Sequence, residues 1–491
     1  MIISENMGNT KKKSKPQLEL HKKPRYPELL KSKNSRKVLA VLSCFITILL
    51  VYMIVSFNTN GLLKFLASVL VLGINGALLT YLLNLEGESG LIIIKLKEGN
   101  KVIEKLTNKF GKFWNTLADI GLVLGFGLSS KLAFKHISKK TFVLGLFIFL
   151  IFVLVILPNS GSITFSLIQI PLESIQTASK AILVSLVAFG CLLLFGVVGF
   201  AIFGILANAI NIISSIIMYL AGNTSALATS SPGVYPVLPY FTIPFFEGLI
   251  ALLVLMVVHE GSHGIAATLS KIRIKSTGII TFGFIPVGAF VDIDEKQLDE
   301  KRNIDNARVS VAGSTANLLV ALLFFIPTAL LMLSLPNFQQ PILIVTGTLK
   351  NISYIGAPIQ IGTTISSVNG IAVNSTLQYL KVVDNITANS TMILMTDKGE
   401  STTPIIEGMP GFVVAQPFKP EFGFIRPIFA TLGLITILNL LVGIVNLLPI
   451  PSFDGHRLFK IIFNKNKFVV NLITAAIVFA FLMNIVPWIW Q

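Results

Sequence analysis

GLIALLVLMVVHEGSHGIAA, residues 248–267, is an apolar run into which His259, Glu260, Ser262 and His263 are set. Twenty residues of this character are long enough to cross the hydrocarbon core of a bilayer as a helix. Ionisable side chains are costly in such a run, so the default reading of them is functional. On a helix, positions i and i+4 share a face, and His259 and His263 therefore direct two imidazoles at one point. This H-E-x-x-H spacing suits a zinc ion held by two neutral imidazoles, with Glu260 beside it to carry the protons of an attacking water. The bland alternative, a solvated polar face, is not open to a segment inside a membrane.

Composition widens this to the whole chain. Of 491 residues, 53% are hydrophobic and only 13% charged, which is the profile of an integral membrane protein with several spans. Cys44 and Cys191 lie far apart in apolar runs and read as small core residues rather than a disulfide or a metal site. The net charge of +16 is concentrated at the start: eleven Lys/Arg against three Glu fall within the first 37 residues. That tail lacks interleaved aromatics and abuts a span, so it is read as a cytoplasmic, positive-inside anchor on the lipid bilayer and not as a nucleic-acid binder. It is also too long, and without a small-residue cleavage site, to be a cleavable signal peptide.

The expected fold is a polytopic α-helical membrane protein of about nine spans with a small β-rich outer domain. Val38 to Phe57 and Leu62 to Leu85 form the first two spans. Lys95 to Lys112 reads as a cytoplasmic amphipathic helix, and Ile120 to Ser130 as a short interfacial or re-entrant piece. Thr141 to Leu157 crosses outward, Pro158 to Lys180 forms an outer loop, and the forty uncharged residues Ala181 to Leu220 fit two closely joined spans or one long kinked helix, with two favoured by parity. That parity sends the HEGSH helix inward and leaves Lys271, Arg273 and Lys275 in the cytoplasm. Ser231 to Pro244 is too rich in proline for a helix and is an outer loop. Lys275 to Asp294 reads as a pair of strands, followed by the cytoplasmic charged run to Arg308. Ala307 to Leu335, Gly423 to Leu448 and Phe468 to Trp490 complete the spans, with the soluble segment Pro336 to Phe422 placed outside. The five Asn-x-Ser/Thr sequons, at Asn223, Asn351, Asn374, Asn385 and Asn389, all fall in segments that this topology puts outside.

A catalytic zinc usually has three protein ligands and one open position. By proximity in sequence Asp292, Asp294, Glu295 and Asp299 are candidates for the third, but they lie in a charged, solvated loop. Asp454 and its neighbour His456 lie in NLLPIPSFDGH, Asn446 to His456, where prolines break an apolar helix. Irregular backbone at membrane depth is tolerated only where it is buried in protein or lines a cavity. Spacing alone leaves Asp454 balanced between a ligand and a turn residue.

Three pieces, taken in order, resemble the site-2 protease family of intramembrane zinc metalloproteases. They are HEGSH at His259 to His263, GSTAN at Gly313 to Asn317, and NLLP followed by Asp454-Gly455. GVYPVLP before the catalytic helix and FIPVGAFVD after it look most like archaeal members. The resemblance implies His259, His263 and Asp454 as ligands of one zinc ion per chain, and Glu260 as general base. It also implies that Asn317 and Asn446 lie near the metal to hold substrate backbone or the developing oxyanion, while Gly313 is read as a packing residue. Gly356-Ala-Pro, Gly362 to Gly370 and a helix from Thr376 to Asp384 resemble a PDZ domain, which some members carry at this place. Such a domain would take substrate C-termini or extended peptides as an added strand.

On the helix, His263 stands eight residues and His259 twelve before Lys271, which puts the metal roughly 12–18 Å from the cytoplasmic boundary. The substrates implied are transmembrane proteins whose helices must unwind before attack, and the Thr277 to Val291 strands are placed to pair with the unwound segment. The rival class is a transporter that uses the buried His/Glu site for protons or metal ions.

Overall fold

The computed structural model describes residues 32–57, 61–156, 178–223, 226–227, 230–235, 237, 242–348, 355–356, 359–383, 385–386, 390–406, 409–463 and 466–490. The basic tail up to residue 31, most of the expected outer loop 158–180, and the sequons Asn351 and Asn389 lie outside them. Eight helices among the described residues are long and apolar enough to cross a membrane. The chain forms two compact units.

The first unit comprises residues up to Lys95 together with Gly278–Gly288. Helices α1 (Lys33–Ser56) and α2 (Gly61–Leu83) coincide with the first two expected spans. They bury Ala40, Leu79 and Leu82 while leaving Phe45, Leu49 and Leu70 outward, as helices in lipid should. Between them the Asn75 amide donates to Ser43 Oγ at 3.3 Å, which satisfies a polar group that lipid could not. Strands β1 (Glu86–Glu88) and β2 (Leu91–Lys95) follow as a tight hairpin, and β2 pairs antiparallel with Gly278–Phe282.

The second unit holds the rest. Its first helix, α3 (Lys97–Phe126), corrects the sequence reading: the polar stretch and the expected re-entrant piece are one helix, kinked at Phe110. Ile120, Leu122, Val123 and Leu124 are buried against Ala307, Val311, Leu318, Leu447 and Leu458. These residues pack on protein, and the whole helix, not the short piece alone, is among the eight long and apolar enough to cross a membrane. A short helical segment leads to α4 (Lys139–Ile151), capped by the Ser138 hydroxyl accepting from Thr141 N at 3.1 Å.

The forty uncharged residues read as two spans form one helical run, α5 (Ala178–Leu220), broken only at Gly196 (φ 64°). Gly196 also marks a close approach, since a Cβ there would stand 2.4 Å from the Gly125 carbonyl of α3. Helix α6 (Phe245–Leu269) carries HEGSH, and strands β3 (Ile274–Phe282) and β4 (Ile285–Ile293) follow it as expected. The strand order β1-β2-β3-β4 leaves β4 at an edge. Helix α7 (Asn303–Phe338) carries GSTAN and extends through Pro327 and Pro336.

The described residues between 343 and 415 form an eight-stranded sheet with one helix, α8 (Thr376–Val383), where the sequence places it. Strand Thr391–Thr396 alternates strictly, sending Met392 and Leu394 inward against Leu343, Ile365, Tyr379 and Phe412. Helices α9 (Ile425–Val445), α10 (Asp454–Ile462) and α11 (Lys467–Met483) close the chain.

Candidate metal centre

Helix α6 brings its two histidines together because they sit one turn apart on the face turned towards α7. Their rings meet edge to face, with centroids 4.8 Å apart. The third group arrives from the far end of the chain. Helix α9 stops at Val445, Pro449 and Pro451 prevent its continuation, and Gly455 N donates to the Asn446 carbonyl at 2.7 Å, folding the turn back. That turn delivers Asp454, the first residue of α10, to the two imidazoles.

Nε2 of His259 and Nε2 of His263 are 3.2 Å apart, and Asp454 Oδ2 lies 3.4 Å from the first and 3.1 Å from the second. A tetrahedral ion with metal–ligand bonds of about 2.0–2.1 Å needs its ligand atoms about 3.3–3.4 Å apart. The triangle fits that edge without rearrangement. The donor set, two imidazoles and one carboxylate, leaves the fourth position open, as catalytic zinc requires. Burial by itself would raise the Asp454 carboxyl, but the imidazoles of His263 and His259 hold it well below the usual carboxylate range. Among the described residues this is the one cluster of three His, Cys, Asp or Glu side chains close enough to hold a metal.

The surroundings fix the rings. His263 Nδ1 is 2.7 Å from the Val309 carbonyl and donates to it, which keeps the lone pair on Nε2. Gly313, read from sequence as a packing residue, faces the ligand atoms directly: a Cβ there would stand 2.4 Å from His263 Nε2 and 2.7 Å from His259 Nε2. Asn446 Nδ2 is 3.3 Å from His259 Nε2 and lines the cavity. Asn317 lies 3.0 Å from the opposite ring nitrogen, His259 Nδ1, is 0% exposed, and does not line the cavity. The two asparagines therefore sit on opposite sides of one imidazole.

Glu260 lines the same cavity, of about 620 Å³, and its Oε2 accepts from Val291 N of β4 at 3.2 Å. Ser310, Glu295 and His456 also line it. Burial and the charge of Lys460 pull the His456 imidazole below its ordinary value, and its Nδ1 is 3.3 Å from Thr474 Oγ1. The other rival ligands are engaged elsewhere: Asp294 caps Gln297 N, Asp299 pairs with Arg457 at 3.1 Å, and Asp292 lies 3.9 Å from Lys275.

Sequence reading missed one buried cluster. Asp119 of α3 accepts from Arg308 of α7 through both oxygens, at 2.8 and 2.7 Å, and lies 3.2 Å from His136 Nε2. Arg308 adjoins Val309, whose carbonyl orients His263. The signal was a lone acid in an apolar run, but nothing in sequence paired it with a residue 189 positions away.

Comparison with known proteins agrees with the geometry. The chain is 30% identical over 258 residues to the uncharacterized protein MJ0971 of Methanocaldococcus jannaschii, an alignment covering 51% of this chain and 66% of that protein. Residues 247–485 match Peptidase family M50, and that stretch begins just before the HEGSH residues and runs past Asp454. The apolar helices and the match together support a multi-pass membrane protein whose residues 247–485 resemble a metallopeptidase. Over residues 247–485, just under half of its length, the chain is similar to peptidase family M50, the site-2 protease family.

Proposed function

We propose that this chain is an intramembrane zinc metalloprotease that hydrolyses peptide bonds within or near transmembrane segments of membrane-protein substrates, in regulated intramembrane proteolysis or membrane-protein turnover. The observation that carries the reading is the convergence of His259, His263 and Asp454, with Glu260 and Asn446, on one cavity between apolar helices.

His259, His263 and Asp454 would hold the ion, which when bound polarises a carbonyl and makes a water more acidic. Glu260 takes a proton from the attacking water and returns it to the leaving amine. Asn446, on the cavity side of His259, donates from Nδ2 to the oxygen that gains charge. The edge of β4 offers unpaired backbone to an extended substrate segment, and Val291 N, now bound to Glu260, lies on that edge. Positive-inside charge supports a cytoplasmic N-terminus and cytoplasmic access of water to the cavity. The sheet at residues 343–415, with its helix Thr376–Val383, is read as an extracytoplasmic PDZ-like domain that takes substrate C-termini or extended peptides.

The test uses a single-span reporter protein reconstituted with the full chain in liposomes. Wild type cleaves within the span and is stopped by a zinc chelator. Glu260→Gln retains zinc but loses cleavage by about 10²–10⁴-fold. Unchanged cleavage by Glu260→Gln, or coupled ion flux without cleavage by wild type, overturns the reading.

A further inference from the structure

His259 and Asn317 share a hydrogen bond whose direction matters. Their nearest atoms are His259 Nδ1 and Asn317 Nδ2, 3.0 Å apart, in a site where Asn317 is 0% exposed. Asn317 Oδ1 has no hydrogen-bond partner among the described residues, which is uncommon for a buried amide oxygen. With Nδ2 facing the ring, the amide donates to Nδ1, and a neutral imidazole must then carry its proton on Nε2. That atom faces His263 and Asp454, and a protonated Nε2 has no lone pair for a cation.

Half a turn of the planar amide exchanges two groups of nearly equal size. Oδ1 then accepts from Nδ1–H and leaves the Nε2 lone pair directed at the other two ligand atoms; the amide makes one hydrogen bond in either setting, so it is the ring's need for a free Nε2 that selects this one. His263 already has this arrangement, with Nδ1–H donating to the Val309 carbonyl at 2.7 Å. The two rings are then held alike, one by a backbone carbonyl and one by a side-chain carbonyl.

We propose that Asn317 is a positioning residue whose Oδ1 holds His259 in the Nδ1–H tautomer and so keeps Nε2 free for the metal. This rests on the metal-site reading above. It also gives the two asparagines different roles, since Asn446 lines the cavity whereas Asn317 acts from behind the ring and touches no substrate.

The test measures zinc affinity of the full-length protein in detergent, by competition with a chromogenic chelator, for wild type, Asn317→Asp and Asn317→Leu. Aspartate keeps an acceptor at Nδ1–H and loses the donor, so its affinity stays close to wild type. Leucine loses the acceptor, and affinity falls about 10–100-fold. Leucine that binds zinc like wild type overturns the proposal, and so does aspartate that binds as poorly as leucine, since that would make the donor the working group. Histidine-¹⁵N spectra of metal-free wild type read the tautomer with no substitution at all, and an Nε2–H tautomer at His259 overturns it too. Wild type that binds no zinc sinks the metal-site reading itself, a result distinct from any of these.

Discussion

Gly313→Ala is the smallest change that should destroy the metal centre while leaving the fold intact. The added Cβ would stand 2.4 Å from His263 Nε2, 2.6 Å from His259 Cε1 and 2.7 Å from His259 Nε2, where ordinary contact begins at 3.4 Å. One or both rings must therefore retreat by up to about 1 Å, and metal–ligand distances tolerate only about 0.2 Å. His263 cannot retreat freely, because its Nδ1–H is held by the Val309 carbonyl. Zinc affinity should fall on the order of a hundredfold. Stability should fall by no more than about 2 kcal/mol, since overpacking costs about 1–3 kcal/mol while alanine in a helix interior recovers up to about 1 kcal/mol over glycine. Zinc competition and a thermal melt on the same detergent preparation separate the two effects. A variant that binds zinc as wild type does, with a normal melting temperature, would refute the claim that the backbone at Gly313 is pressed against the ligand rings.

Asp119→Asn should destabilise the second unit, because it strips the Arg308 guanidinium of its bidentate carboxylate in a largely buried site. Breaking such a pair costs roughly 3–5 kcal/mol, and a melting temperature equal to wild type would contradict the assignment. Gly196→Ala should cost about 1–3 kcal/mol for its positive φ, together with the strain of a Cβ set 2.4 Å from the Gly125 carbonyl. A neutral melt would mean that the helix break is not required. Replacing helix-breaking residues near the cut in a reporter span by leucine should slow its cleavage, because a helical carbonyl is already hydrogen bonded. Equal rates before and after replacement would show that no local unwinding is needed.

Much of the site could be read in the sequence because its residues are chemically out of place. Two imidazoles and a carboxylate in an apolar helix have few explanations, and an aspartate in a proline-broken turn at membrane depth has nearly as few. The groups that orient them could not be read. Any residue can supply the carbonyl of Val309 or the amide of Val291, so their identity carries no signal. Gly313 was visible as a glycine, but its contact with His259 and His263 depends on how two helices 50 residues apart pack. The fold was legible where apolar stretches meet lipid, as in α1 and α2. It was misread where they meet protein, as in α3, because hydropathy does not distinguish the two surroundings. A kinked helix is one of the two readings the forty uncharged residues allow, but its position at Gly196 could not be read, because a glycine there gives no sign of what approaches it.

The central claim is that His259, His263 and Asp454, drawn from two distant stretches of the chain, hold one zinc ion. Metal analysis of the purified full-length protein in detergent, beside His259→Ala and Asp454→Ala, tests it most directly. About one zinc per chain in wild type, lost or greatly weakened in both variants, is the predicted result. Zinc that survives Asp454→Ala at full occupancy, in protein that remains folded, would contradict it.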